Sequence, residues 1–160
     1  MDLITVRQLF KDTAAYAGKE IEVGGWVRNR RPSKQFGFIE LNAGTNFTPV
    51  QVVYNDTLAN FQEISKINIG AALIIKGVLV EPPDSKQPFE IQASEITVEG
   101  PSTGDYPLQP KRHTMELLRT ITHLRPRTNT FQAVFRVRSL AAMAIHKFFQ
   151  DRDFVYVHTP

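Results

Sequence analysis

The chain has 160 residues, of which 42% are hydrophobic and 22% charged, enough to bury one sizeable core and begin a second. No apolar run approaches the roughly 18 residues that a membrane-spanning helix needs, and "MDLITVRQLFKDT" lacks the layout of a signal peptide, so a cytoplasmic setting is expected. The absence of cysteine excludes disulfides, thiolate metal sites and a cysteine nucleophile, while a net charge of only +3 hides uneven placement. Arg28, Arg30, Arg31 and Lys34 fall together without an intervening acid, and Lys111, Arg112, Arg119, Arg125 and Arg127 are interrupted only by Glu116. Two basic clusters point to a polyanionic partner.

In chain order, "TVRQLFKD" (residues 5–12) reads as a short helix capped by Thr5, with Val6, Leu9 and Phe10 at helical spacing. Gly18 marks a turn. Five β-like segments follow: "EIEVGGWVRNRR", "FGFIELN", "PVQVVYN", "AALIIKGVLV" and "FEIQASEITVE", separated by polar or Pro/Gly connections. Between the third and fourth, "DTLANFQEISKI" places Leu58, Phe61, Ile64 and Ile67 three apart, which predicts a helix packed on a barrel mouth. Five strands with a helix after the third is the order of an OB-fold, a small Greek-key barrel. Gly24-Gly25 suits the sharp bend of its long first strand.

"GPSTGDYPLQPKR" (residues 100–112) carries three prolines and two glycines and reads as a linker. Beyond it, "HTMELLRTI" predicts a helix capped by Thr114 and stopped by Pro126. "TNTFQAVFRVRSLAAMAIHKFFQDRD" predicts a long amphipathic helix with Val134, Val137, Ala141, Ala144, Ile145 and Phe148 on one stripe, and "FVYVHTP" predicts a strand. One helix and one strand cannot bury that stripe alone, so this segment needs more chain or a partner. The expected organisation is a mainly β OB-fold domain over 1–99, a linker and hinge over 100–128, and the start of a second, incomplete α+β domain over 129–160.

Alternation in "FGFIELN" puts Ile39 and Leu41 on one face and Phe36, Phe38 and Glu40 on the other. A glutamate facing a barrel core costs several kcal/mol unless paired, so Glu40 is expected outward and the two phenylalanines with it. Exposed aromatics on such a strand form a platform for unpaired bases, each stack contributing about 1 to 3 kcal/mol. The same alternation turns Gln51 and Glu90 outward, where an amide and a carboxylate can read a base edge. Arg28, Arg30, Arg31 and Lys34 stand ready for phosphates. Each feature alone is ordinary, since alternate aromatics usually belong to a core and charge runs to solvated surface. Their conjunction on one sheet face favours nucleic-acid binding.

Other chemistry finds little support. His113, His123, His146 and His158 are scattered without an i, i+4 pair, so no metal site is expected, and there is no phosphate-cradling glycine loop and no nucleophile beside a base. No catalytic residue is assigned.

The succession "GGWVRNRRPSKQFGFIEL", "PVQVV", "FEIQASEITVEG", "YPLQPKRHTMELLRTITHLRPRT" and "FFQDRDFVYVHTP" resembles the amino-terminal part of bacterial asparaginyl-tRNA synthetases. These are class II aminoacyl-tRNA synthetases of the subgroup that includes the aspartyl and lysyl enzymes. "TPVQVVYN" and "KRHTMELLRTITHLRPRT" look more like the asparaginyl branch. The resemblance implies that Phe38 stacks the central anticodon uridine, that Gln51 and Glu90 read it, and that Arg31 contacts the anticodon loop. Arg28, Arg30, Lys34 and Phe36 become candidates for further RNA contacts. "FVYVHTP" resembles the end of motif 1, the class II dimer interface, which implies that Val137, Ala141, Ile145, Phe148 and Pro160 belong to that interface in a homodimeric parent enzyme. Motifs 2 and 3, which hold ATP in the family, do not appear. By resemblance the parent joins asparagine to its tRNA through an adenylate, using ATP and Mg2+, and this chain alone is expected to be inactive and to need no cofactor. The rival readings are an aspartyl enzyme fragment, a freestanding single-stranded nucleic-acid binder, and a basic module for an acidic protein.

Overall fold

The computed structural model describes residues 3–83 and 87–159. The chain divides into two compact units, Met1–Arg112 and His113–Pro160.

The first unit begins with α1 (Val6–Lys11), where Thr5 and Gln8 form a reciprocal capping box, and α2 (Thr13–Tyr16), capped by Asp12. Five strands follow: β1 (Glu20–Pro32), β2 (Phe36–Asn42), β3 (Val50–Asn55), β4 (Ala72–Val80) and β5 (Glu90–Gly100). All five expected strands are present. They close into a barrel in the order β1-β2-β3-β5-β4, which is the OB-fold anticipated from the strand pattern. Every pairing is antiparallel except β3 with β5.

β1 serves both sides of the barrel, pairing through Glu20–Trp26 with β4 and through Trp26–Pro32 with β2. At the changeover a Cβ on Gly25 would lie 2.9 Å from Leu41 Cγ and 3.1 Å from the Asn42 carbonyl oxygen, so only glycine lets the strands approach this closely. A bulge between Val27 and Asn29 follows at once. The inward residues Val23, Val27, Ile39, Leu41, Val52, Ile75 and Ile91 are almost wholly buried and form one core. Tyr54 fills the barrel opposite Gly37, where any β-carbon would collide with the tyrosine ring.

The segment between β3 and β4 departs from the expected helix. Only Phe61–Ile64, α3, is helical, although Leu58, Phe61, Ile64 and Ile67 are all buried. Many of its backbone bonds run from one residue to the third before it, as from Leu58 to Asn55, Phe61 to Leu58 and Ile67 to Ile64. A repeat of three matches such tight turns, whereas a sustained α-helix drifts to 3.6. Residues 100–112 belong to the first unit, and the Tyr106 ring lies against Gly70, which holds φ +88°.

The second unit contains α4 (Met115–Thr120), a single 3-10 turn at Arg125–Arg127, and α5 (Asn129–Gln150). Thr114 caps α4 as expected, but the helix ends at Ile121, ahead of Pro126, which sits inside the 3-10 turn. The Thr128 hydroxyl accepts from the Phe131 amide and starts α5. Arg125 lies over Phe131, 4.7 Å from the ring centroid.

Along α5 the stripe residues Val134, Val137, Ile145 and Phe148 are exposed, Ile145 by 60%. Ala141 and Ala144 are exposed with them, as are Leu140 and Met143. Residues 154–159 form no strand, contrary to expectation, and Val155 is 84% exposed. A strand exists by hydrogen bonding to a neighbour, and among the described residues of this unit no strand is there to pair with it. Pro160 lies outside the described residues.

Candidate nucleic-acid interface

The outer face of the barrel at β1, β2, β3 and the start of β5 is ordered by strand register. One row runs Asn29, Glu40, Gln51, Glu90, each the register partner of the next, and the adjacent row runs Arg31, Phe38, Val53, Gln92. Neighbouring strands lie about 4.8 Å apart, so these side chains stand within reach of one another.

β2 follows its alternation throughout. Ile39 and Leu41 are fully buried, whereas Phe36 is 45% exposed and Phe38 and Glu40 are half-buried on the outer face. Burial of the aliphatic pair fixes the outward direction of the aromatics. The Phe36 and Phe38 rings meet edge to face, with centroids 5.6 Å apart and planes at 87°.

The bulge in β1 decides where the arginines go. Val27 points inward opposite Leu41, and uninterrupted alternation would send residues 29 and 31 inward too. With Arg28 as the extra residue, Asn29 and Arg31 instead face Glu40 and Phe38 on the outer face. Arg30 takes the opposite direction and donates from Nη1 to the Ser65 carbonyl at 2.8 Å. Of the four expected bases, then, Arg31 joins the platform, Arg28 occupies the bulge, Arg30 is tied to the backbone beyond α3, and Lys34 stands exposed in the β1–β2 turn.

Three interactions join the site. The Arg31 guanidinium lies 5.2 Å from the centroid of the Phe38 ring. Its Nη2 donates to Gln51 Oε1 at 3.3 Å, and Gln51 Nε2 donates to Glu90 Oε2 at 3.1 Å. An aromatic plane, a cation, an amide and a carboxylate thus form one connected set. Asn29 completes the outer row, a position that sequence alternation hides because it depends on the bulge.

Residues 21–99 match the family model described as an OB-fold nucleic acid binding domain, and all four connected residues lie inside it. Over its whole length the chain is 59% identical to an asparagine–tRNA ligase of Desulfitobacterium hafniense and 62% identical to one of Acetivibrio thermocellus. The chain is thus similar along its whole length to part of these asparagine–tRNA ligases. It spans about a third of the length of these curated relatives, 35% of each. Because the match extends through residues 113–160, it accounts for the second unit, which a lone barrel would not require. In fold, the chain is similar to the asparaginyl-tRNA synthetase of Pyrococcus horikoshii solved with asparaginyl-adenylate, with a TM-score of 0.86 at 19% identity over 100% of this chain and 37% of that one. An aspartyl-tRNA synthetase from Entamoeba histolytica shows the same architecture, with a TM-score of 0.83 at 19% identity over 100% of this chain and 39% of that one.

Proposed function

We propose that the barrel reads the anticodon loop of a transfer RNA on behalf of a longer enzyme that attaches asparagine to that RNA. The observation that carries this reading is the connected set of Arg31, Phe38, Gln51 and Glu90 on one open face. In it, Phe38 offers a plane on which an extruded uridine stacks, with Phe36 supporting its edge. Gln51 and Glu90 meet the hydrogen-bonding edge of the base beside Arg31, and Lys34 and Arg28 face the neighbouring phosphates. Arg30 contributes to the fold instead, because its guanidinium is engaged by Ser65.

The catalytic chemistry belongs to the longer protein. There, ATP and Mg2+ serve to activate asparagine as an adenylate. Among the described residues no three His, Asp or Glu side chains converge to hold a metal ion. The exposed stripe of α5, with Val137, Ala141, Ile145 and Phe148, supports its use as a subunit interface in a homodimeric enzyme. Among the described residues no helix is long and apolar enough to cross a membrane, and the proposed location is the cytoplasm.

The test is a titration of the chain with a fluorescent anticodon stem-loop bearing a central uridine and with a scrambled-loop control, at several salt concentrations. The reading requires tighter binding of the cognate loop at every salt, with both affinities falling as salt rises. Equal affinity for the two loops would reduce the barrel to a general polyanion binder. Activity of the longer protein toward asparagine rather than aspartate tests the choice of amino acid.

A further inference from the structure

The segment after β5 has the composition of a free tether, with Pro101, Pro107 and Pro110 set among glycines and small polar residues. Each proline removes a backbone donor, so the segment has little main-chain hydrogen bonding with which to fasten itself. A stretch of this kind stays on a barrel only where side chains hold it there.

Two contacts do so, and both fall on the stretch between α3 and β4. Asn68 Nδ2 donates to the Ser102 carbonyl at 2.8 Å. Further along, the Tyr106 ring covers Gly70 so closely that a β-carbon there would stand 2.9 Å from Cε2 and from Cζ. Gly70 also holds φ +88°, so glycine is required once for the turn and again for the ring. Tyr106 is partly buried against the barrel core, and the Gln109 side-chain amide donates to the Tyr106 carbonyl at 2.7 Å. Beneath the ring the floor is firm. The Gly70 amide donates to the Val27 carbonyl at 2.7 Å, and the Val27 amide to the Ala71 carbonyl at 2.9 Å, which ties the notch to a buried residue of β1.

We infer that Gly70 and Asn68 form a latch for the linker, with the Tyr106 ring as its bolt, so that residues 101–109 move as part of the barrel and the chain first bends at Arg112–His113. The boundary between the two compact units falls at that same pair. The hinge expected over 100–128 then loses its first part, and the barrel offers a fixed exit point in place of a swinging tether. This inference does not depend on what the barrel binds. Tyr106 stands outside the set of fully buried residues, so the ring can be removed without opening the barrel interior.

The experiment measures backbone 15N relaxation and trypsin cleavage after Lys111 and Arg112 on the whole chain. In the wild type the amides between Ser102 and Gln109 are expected to show order parameters of about 0.85, like those of the strands. In Tyr106→Ala these fall below about 0.6 while the strands keep theirs, and cleavage becomes about tenfold faster because a protease needs a locally opened chain. Asn68→Ala gives a smaller loss of order centred on Ser102. Gly70→Ala lowers the melting temperature less in the Tyr106→Ala background than alone, since the collision with the ring is gone and only the backbone strain remains. Low order parameters across 102–109 in the wild type overturn the inference, as do unchanged order and cleavage in Tyr106→Ala. Equal penalties for Gly70→Ala in the two backgrounds overturn the role of the ring. Loss of order throughout the strands in Tyr106→Ala also overturns it, because the ring then belongs to the core and is no latch.

Discussion

Gln51 and Glu90 are register partners on β3 and β5, the single parallel pair of the barrel, and the amide donates to the carboxylate across 3.1 Å. Parallel neighbours cannot be joined by a hairpin. The connection here runs through α3 and β4, which brings together two residues 39 positions apart. The reading pair is therefore a product of barrel closure, and its integrity depends on strands that never touch the ligand.

Phe38 stands on the outer face while the core lies beneath Ile39 and Leu41. Phe38→Ala is expected to weaken binding of the uridine stem-loop by about 1 to 3 kcal/mol, with the melting temperature close to wild type. Fluorescence anisotropy and thermal melting measure the two quantities separately. A large fall in melting temperature would mean that the ring serves the fold.

Lys34, exposed in the turn before β2, is suited to a phosphate rather than a base. Lys34→Gln should weaken cognate and scrambled stem-loops alike and flatten the dependence of log affinity on log salt by about 0.7 for one lost contact with a single strand. An effect confined to the cognate loop would assign Lys34 to base reading.

Gly37 lies between the two outward phenylalanines, with the buried Tyr54 ring occupying the space a β-carbon needs. Gly37→Ala must displace that ring within a closed core, at a cost of about 1 to 3 kcal/mol. Urea unfolding is expected to show a lower midpoint with an unchanged slope. A midpoint equal to wild type would show that the barrel can repack around the methyl group.

The apolar stripe of α5 is uncovered over several turns. The chain should self-associate with rising concentration in sedimentation velocity, and the triple change Val137→Ser, Ile145→Ser and Phe148→Ser should abolish this. Stem-loop affinity should stay the same, because the substituted residues lie outside the unit that holds the platform. A monomeric wild type at all concentrations would contradict the interface proposed for this stripe.

Local pattern made the barrel and much of its outer face legible. Period-two alternation in "FGFIELN" and "PVQVVYN" marks both strands and assigns their faces, because one side of each must enter an apolar core. Caps at Thr5 and Thr114 mark helix starts because a side-chain oxygen satisfies an amide near each start. The pattern misled where spacing was shared by two structures: apolar residues three apart in 58–67 suit tight turns as well as a helix. It misled again at 154–159, where a β-like composition has no strand to pair with.

Residue order alone therefore determined which positions are apolar on one side, and with that the strands, their inward faces and the outward placement of Phe36, Phe38, Gln51 and Glu90. Only the closed barrel decided that Arg31 joins them and Arg30 does not, since a single extra residue in β1 reverses every direction after it. Closure likewise set the donor and acceptor around Gln51. Alternation is a property of one strand, whereas bulges and parallel contacts arise from how several strands fit around a shared core.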